Sequence, residues 1–478
     1  MQQVCLAVVR TLSRDKQLLN FVVSSEDIES LLKLSGLHNG EFCCNLSDDC
    51  LLEVLKCLCN LIFNNAFAQA YCAKNAAVCN LFVRLRTYSD PSKSYEIKYF
   101  CMKLLFVMTA LCGEICPKIL MECQGLLHLT EELELIVKEA TKLDEASVVL
   151  SDDQISLACE ILKVLFNIFI HPSFSTHTDY NKESHYQQLL AILHVFLLCE
   201  ARSRDKFQDL QKQLVNLLTS IPNNLYSELL TPKKNNFYMS KSIEYMGINV
   251  STIYILINFL STQLEFAQNI QMLHEELSPI LTVLLKSAHA NSLMRKYIKR
   301  IILPPLKDVT NRPEVGSSLR NQLCRLLTTP VTTVRDLVAE LLFVLCKENV
   351  GRMIKYTGYG NAAGMFANRG LLAGKQATGD NEYSSDSDSD TEEYLAAVPN
   401  INPVTGRFEA NLPNSTAYVS EEQKEYEAME LVKLIDQLSK GGLIRPCRIG
   451  ADGKPEPVDH VLQLQDELSK DSSNLCRK

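Results

Sequence analysis

The chain has 478 residues and carries 48 basic against 56 acidic side chains, a net charge of −8. Acidity of this size excludes a protein that works by gripping nucleic-acid phosphates, which requires Lys and Arg to outnumber carboxylates on the contact face. At this length one simple core cannot bury the apolar surface, so either several domains or one elongated repeat array is required.

The array is favoured. From residue 1 to about 355, segments apolar at i, i+3, i+4 and i+7 follow one another, joined by short polar links such as SSED, LSDDQ and SIPNN. Such helices bury their faces only by stacking on their neighbours. A loose word, Leu-rich and closing on Asn, recurs in LKCLCN (Asn60), LKVLFN (Asn167), KQLVN (Asn216) and YILIN (Asn258). The intervals of 49 and 42 residues between the last three sit near the period of armadillo and HEAT units, roughly 40 to 47 residues. The expected fold is therefore all-α, an armadillo/HEAT-like helical repeat superhelix. Helical spacing puts Lys56, Asn60 and Asn64 on one polar stripe, and Glu160, Lys163, Asn167 and His171 on another. An Asn on such a stripe either hydrogen-bonds a peptide laid along the array or bonds a neighbour within the stack.

Eighteen cysteines are spread through apolar helical runs, as in YFCMKLLFVMTALCG, and read as reduced thiols acting as small core residues. The longest uncharged apolar stretch, about Leu104 to Cys112, is far short of the roughly 20 residues a membrane-spanning helix needs. Gln2 excludes an N-myristoylation start, and Cys476 does not form a prenylation box. Membrane association is expected only through a partner. The basic stretch NSLMRKYIKR, residues 291 to 300, reads as a solvated face or as a surface for an acidic segment.

After Lys355 the glycines Gly358, Gly360, Gly364, Gly370 and Gly374 and then seven carboxylates between Asp380 and Glu393 change the texture, so 356–419 is expected to be a glycine-rich and acidic linker. Ser420 with Gln423 forms a capping pattern, Ala428, Leu431, Ile435 and Leu438 form a stripe, and Gly441-Gly442 stops it, which predicts a helix over 420–442. Residues 443–478 are expected to be a mobile tail.

Motifs for bond-making chemistry are missing. There is no GxxxxGK[ST], GxSxG or HExxH, and the GxGxxxG of Gly358, Gly360 and Gly364 follows no strand. The nine histidines are scattered, and Cys57/Cys59 and Cys112/Cys116 lack the spacing of a zinc site. No enzyme activity, cofactor or metal is expected.

Long words in the second half, NRPEVGSSLRNQLCRLL, RMIKYTGYGNAAGMFANRG, EYSSDSDSDTEEY, INPVTGR and EEQKEYEAMELV, closely resemble the synembryn family. That resemblance implies a cytoplasmic exchange factor and folding chaperone for heterotrimeric G-protein α subunits, recruited to the cell cortex through these partners. It would bind the α subunit's C-terminal helix and favour the nucleotide-free state. It also implies that Arg10 and Arg14 of RTLSRD and Asn60 line the groove receiving that helix, with Asn167, Arg320 and Arg325 as further partner-binding candidates. Arg10 and Arg14, four residues apart, are expected on one helical face. Ser385, Ser387 and Ser389 each have an acidic residue at +3, and Ser384 and Ser389 match the family's modified positions, so all four are expected targets of an acidophilic kinase. Synembryns usually carry helices before RTLSRD, and a stack without them is expected to expose an apolar face at its first repeat. The competing reading is an armadillo-type scaffold or adaptor without exchange activity; importin-like grooves, however, rely on Trp, and this chain has none.

Overall fold

In a computed structural model the described residues are 2–38, 46–86, 94–141, 148–176, 182–230, 243–266, 272–372, 390–409, 420–442, 444–450 and 452–458. They form two compact units, one reaching Phe259 and the other beginning at Leu260. The boundary falls inside the stretch read from sequence as one array.

The first unit opens with α1 (Gln2–Leu12), α2 (Lys16–Val22), α3 (Ser25–Leu34), α4 (Asp48–Asn64), α5 (Ala66–Lys74) and α6 (Ala77–Leu85). It continues with α7 (Tyr95–Leu111), α8 (Ile115–Met121), α9 (Gly125–Thr141), α10 (Asp152–Ile170), α11 (Pro172–Thr176), α12 (Lys182–Leu198) and α13 (Arg204–Thr219). Helices α1, α4, α7, α10 and α13 pack side by side in that order, and α3, α5, α6, α9 and α12 lean on them from outside. This is the all-α, armadillo/HEAT-like stacking that the repeated Leu-rich words require. Short polar residues start the helices: Asp15 caps α2, Ser24 with Asp27 boxes α3, and Ser151 with Gln154 boxes α10, each satisfying N–H groups that the helix itself cannot. A two-residue parallel ladder ties β1 (Val149–Leu150) to β2 (Glu200–Ala201). Near the end of the unit β3 (Glu244–Tyr245) and β4 (Ile248–Asn249) form a hairpin across Met246-Gly247, both at positive φ. At the first repeat Val4, Val8, Leu12 and Phe21 stand open, Phe21 at 90% exposure.

Helix α14 (Ser251–Phe266) crosses the boundary. The second unit then packs α15 (Leu273–Ala290), α16 (Ser292–Ile302), α17 (Leu319–Leu326), α18 (Thr332–Leu345), α19 (Val350–Thr357) and α20 (Tyr359–Arg369), with α18 at the centre. Two expectations need correction here. The glycine-rich stretch assigned to a linker is helical over α20, because Ala362 and Phe366 supply a buried face that outweighs the propensity cost of Gly360 and Gly364. Part of the tail expected to be mobile also pairs, β7 (Cys447–Ile449) with β8 (Pro455–Pro457), and Leu372 N–H donates to the Gly453 carbonyl.

The conspicuous sequence words of this half are fastened to one another. After the short α21 (Glu392–Ala397), β5 (Ile401–Asn402) and β6 (Arg407–Phe408) form a hairpin inside INPVTGR. Tyr359 and Gly360 donate to the Pro403 and Val404 carbonyls at 2.9 and 3.0 Å, and Phe408 donates to Val309 at 2.6 Å. Gly406 lies at φ 68°, and a Cβ there would meet Pro313 Cγ at 2.8 Å; at Gly358, φ 74°, it would meet the Val404 carbonyl oxygen at 3.1 Å. Only glycine permits this approach. The loop before α17 is braced in turn. Asn321, buried, boxes Ser318 and donates through Nδ2 to the Pro313 carbonyl at 2.7 Å, while Arg325 Nη1 holds the carbonyls of Glu314 and Gly316 at 3.0 and 2.8 Å. The predicted α22 (Glu421–Lys440) forms with Ser420 as its N-cap, and none of its residues is buried.

Two tests follow from this packing. Asn321→Ala removes the side-chain acceptor of the Ser318 N–H in the capping box and leaves the Pro313 carbonyl without its donor, so urea unfolding of the second unit should lose about 1–3 kcal/mol; an unchanged midpoint would show that the loop is not held from α17. In the first unit burial lowers the His194 imidazole on α12 to about 4. The fold therefore favours the neutral ring, and its contribution is present above the ordinary value of 6.5 and lost as pH falls from there through about 4. His194→Gln should flatten the acid limb of the stability curve across that window, by on the order of 1–2 kcal/mol after allowance for partial exposure.

Candidate functional site: a lysine row on the stacked helices

The LKCLCN register places Lys56 four residues before Asn60. The same offset recurs at Lys163 and Asn167 of α10, at Lys103 and Val107 of α7, and at Lys212 and Asn216 of α13. Helices α4, α7, α10 and α13 are consecutive neighbours, and Lys56, Lys103 and Lys163 form a row whose members all lie over rings of α7, with Lys212 at the equivalent sequence position on α13. Sequence reading found the stripes on α4 and α10 but missed Lys103 and Lys212. The signal was there in MKLLFV and QKQLVN, read in the register of LKVLFN.

Aromatic rings lie between these lysines. Lys56 Nζ sits 5.1 Å from the Phe100 ring centroid, Lys103 Nζ 5.6 Å from Tyr99 and 5.8 Å from Phe100, and Lys163 Nζ 5.2 Å from Phe106. Each ring face stabilises a cation while leaving its remaining N–H donors available. Carboxylates temper the row at its flanks: Lys56 meets Glu53 and Glu96 at 3.5 and 3.3 Å, and Lys163 meets Glu160 at 2.8 Å. Lys103 has no ion pair among the described residues. Chemically, the face offers ammonium donors at repeat spacing to an elongated acidic or carboxyl-bearing ligand.

The sequence-predicted residues fall around this row in different ways. Asn60 Nδ2 donates to the Arg10 carbonyl at 3.2 Å and to Ser13 Oγ at 3.1 Å, and Asn64 Nδ2 to the Ser13 carbonyl at 3.0 Å. Asn167 Nδ2 donates to Thr109 Oγ1 at 3.1 Å. These amides bond the preceding helix of the stack, so their donors already have partners. Arg10 Nε lies 3.2 Å from Glu53 Oε2, half-buried. Arg14 is exposed, but it does not share a helical face with Arg10. Helix α1 ends at Leu12, Ser13 Oγ bonds the Arg10 carbonyl, and Asp15 begins the next helix, which places Arg14 in the turn between them. Arg320 and Arg325 belong to the second unit, where Arg325 holds its own loop. Ser384, Ser385, Ser387 and Ser389 lie outside the described residues; just after them Asp390 pairs with Lys355, which also stacks 4.6 Å from the Tyr394 ring.

Twelve of the described cysteines are buried, and burial drives Cys57 up to about 11 and Cys72 and Cys159 up to about 12. Thiols so suppressed behave as small core side chains. Among the described residues no group of three His, Cys, Asp or Glu side chains is placed to hold a metal ion.

Stack and face together define a helical-repeat protein carrying a polar, lysine-bearing strip on α4, α7 and α10. The family described as guanine nucleotide exchange factor synembryn matches residues 5–454, and the chain belongs to that family. It is 41% identical to the chaperone Ric-8A of Gallus gallus over 484 aligned positions, covering 99% of this chain and 88% of that one. It is 38% identical to the chaperone Ric-8 of Drosophila melanogaster with the same coverage of both chains. A designed armadillo repeat protein aligns with 66% of this chain and 99% of its own at a TM-score of 0.36 and 15% identity; the fold assignment rests on the helix packing.

Stability and binding are separable on this face. Asn60→Ala, which removes two cross-helix bonds, should lower the unfolding free energy of the first unit by about 1–2 kcal/mol. Lys103→Ala should change it by less than about 0.5–1 kcal/mol. Equal losses in thermal unfolding would mean that the lysine row is structural.

Proposed function

We propose that this chain is an exchange factor and folding chaperone for heterotrimeric G-protein α subunits. The α subunit's C-terminal helix lies along the α4–α13 face, and this grip favours a nucleotide-free client that GTP binding later releases. Family membership supports the exchange and chaperone roles. The observation that carries the docking site is the lysine row, whose donors match an elongated ligand ending in a carboxylate. Arg14, exposed in the turn beside Ser13, adds a guanidinium at one end of the face. Exchange of this kind needs no bond-making group. A partner that binds the opened client more tightly than the GDP-bound one lowers the barrier to GDP loss and also shelters an unfinished client.

Two further parts belong to the proposal. The acidic segment holding Ser384, Ser385, Ser387 and Ser389 is a phosphorylation switch, and the contact of neighbouring Asp390 with Lys355 indicates the kind of basic partner that phosphates would take. Helix α22, with Tyr426 at 65% exposure and Met429, Leu431 and Leu434 also open, is a second client contact.

The deciding measurement is GDP release from a purified α subunit with and without the chain. Release should accelerate, and Lys103→Glu should cut the acceleration by at least about tenfold, roughly 1.4 kcal/mol, with the melting temperature unchanged. Binding of the client without any acceleration would instead favour a scaffold or adaptor.

A further inference from the structure

Where α7, α10 and α13 meet, beside the lysine row, the face opens into a cavity of about 260 Å³. Tyr99, Ser156, Glu160, Lys163, Lys206 and Asp209 line it. Glu160 is only 5% exposed, yet its two carboxylate oxygens are treated differently. Oε1 accepts from Lys163 Nζ at 2.8 Å, whereas Oε2 has no hydrogen-bond partner among the described residues. A buried carboxylate oxygen without a donor is costly and points to a group that arrives from outside the fold.

The lining decides which group that is. Two carboxylates, Glu160 and Asp209, face two ammonium groups, Lys163 and Lys206, so formal charge in the cavity is balanced. A cationic side chain entering it would meet both lysines, and an anionic one both acids. A neutral amide meets neither penalty. Its NH₂ donates to Glu160 Oε2, and its carbonyl accepts from Lys206, whose ammonium has three donors and spends one on Ser156 Oγ at 3.3 Å.

We propose that this cavity is a side-chain pocket for an Asn or Gln of the segment lying along the α4–α13 face, and so a determinant of which clients are accepted. The proposal rests on the reading of that face as the client's docking surface. A site built to hydrogen-bond a buried amide discriminates sharply against an apolar replacement, because the pocket's own polar groups are then stranded.

A double-mutant cycle tests it. The probe is a peptide spanning the C-terminal helix of an α subunit that carries Asn or Gln there, with each amide residue replaced in turn by Leu. Affinities are measured on the full chain and on its Glu160→Leu variant. One replacement should weaken binding to the unaltered chain by about tenfold or more and to the variant by less than about twofold. If Glu160→Leu fails to fold, Glu160→Gln serves, with the same position showing the coupling at reduced size. Peptide binding with no amide position coupled to Glu160 overturns the pocket and leaves the docking face standing. Failure of the unaltered peptide to bind the unaltered chain overturns the docking face, and the pocket with it.

Discussion

Eleven of the nineteen residues of α10 are buried, because α7 covers one flank, α13 the other and α9 its back. Each central helix of the first unit is caught between neighbours in this way, and their mutual burial is the main favourable term available to a stack of helices that are individually marginal in water. The same packing restricts function. Once the flanks of a helix are covered, only a narrow strip remains for polar side chains. On α10 that strip holds Ser156, Lys163 and Asn167; on α4 it holds Lys56, Asn60 and Asn64. The lysine row follows from the stacking, since equivalent positions of successive helices are brought into line.

Half-buried lysines need something in place of lost water. Here the replacement is largely aromatic, Phe100, Phe106 and Tyr99, with Glu53, Glu96 and Glu160 at the flanks. A ring face compensates a cation without consuming its directional hydrogen bonds, worth on the order of 0.5–2 kcal/mol per contact depending on desolvation. Beside the lysines the asparagines do a different job. Asn60 to Ser13 and Asn167 to Thr109 are the same kind of bond, an amide reaching a hydroxyl at the end of α1 in one case and on α7 in the other. Such bonds fix the register of one helix against the next, and the one between α10 and α7 fixes the spacing of Lys163 from Lys103.

The repeated Leu-rich word and its closing Asn made the stack legible, since the 3.6-residue period and a 40-odd-residue repeat have few other physical solutions. Other features were hidden for identifiable reasons. Arg14 looked helical by spacing from Arg10, but Ser13 and Asp15 bond backbone groups on either side of it and turn the chain there. Glycines around α20 suggested a linker, yet Phe366 and Ala362 find a tertiary face that single-sequence propensity cannot register. Lys103 escaped notice because its helix carries Val107 where the others carry Asn, so the repeated word lacks the residue used to recognise it. The Glu160 cavity was beyond reach altogether, since it depends on three helices meeting.

Under the proposed function these details bear on where the work of exchange is done. A partner binding the GDP-bound and empty clients equally well would shift nothing, and each tenfold gain in the empty population requires about 1.4 kcal/mol of preference for it. A pliable face would adapt to whichever client conformation it met and forfeit that preference. The cross-helix amides make this face resistant to adaptation, since moving Lys163 relative to Lys103 breaks the half-buried Asn167–Thr109 bond and moving α4 against α1 breaks that of Asn60. The client's helix must then leave its own packing to meet a fixed set of donors. Distortion therefore falls on the client, the side that holds the nucleotide, and the helical stack supplies the rigidity that directs it there.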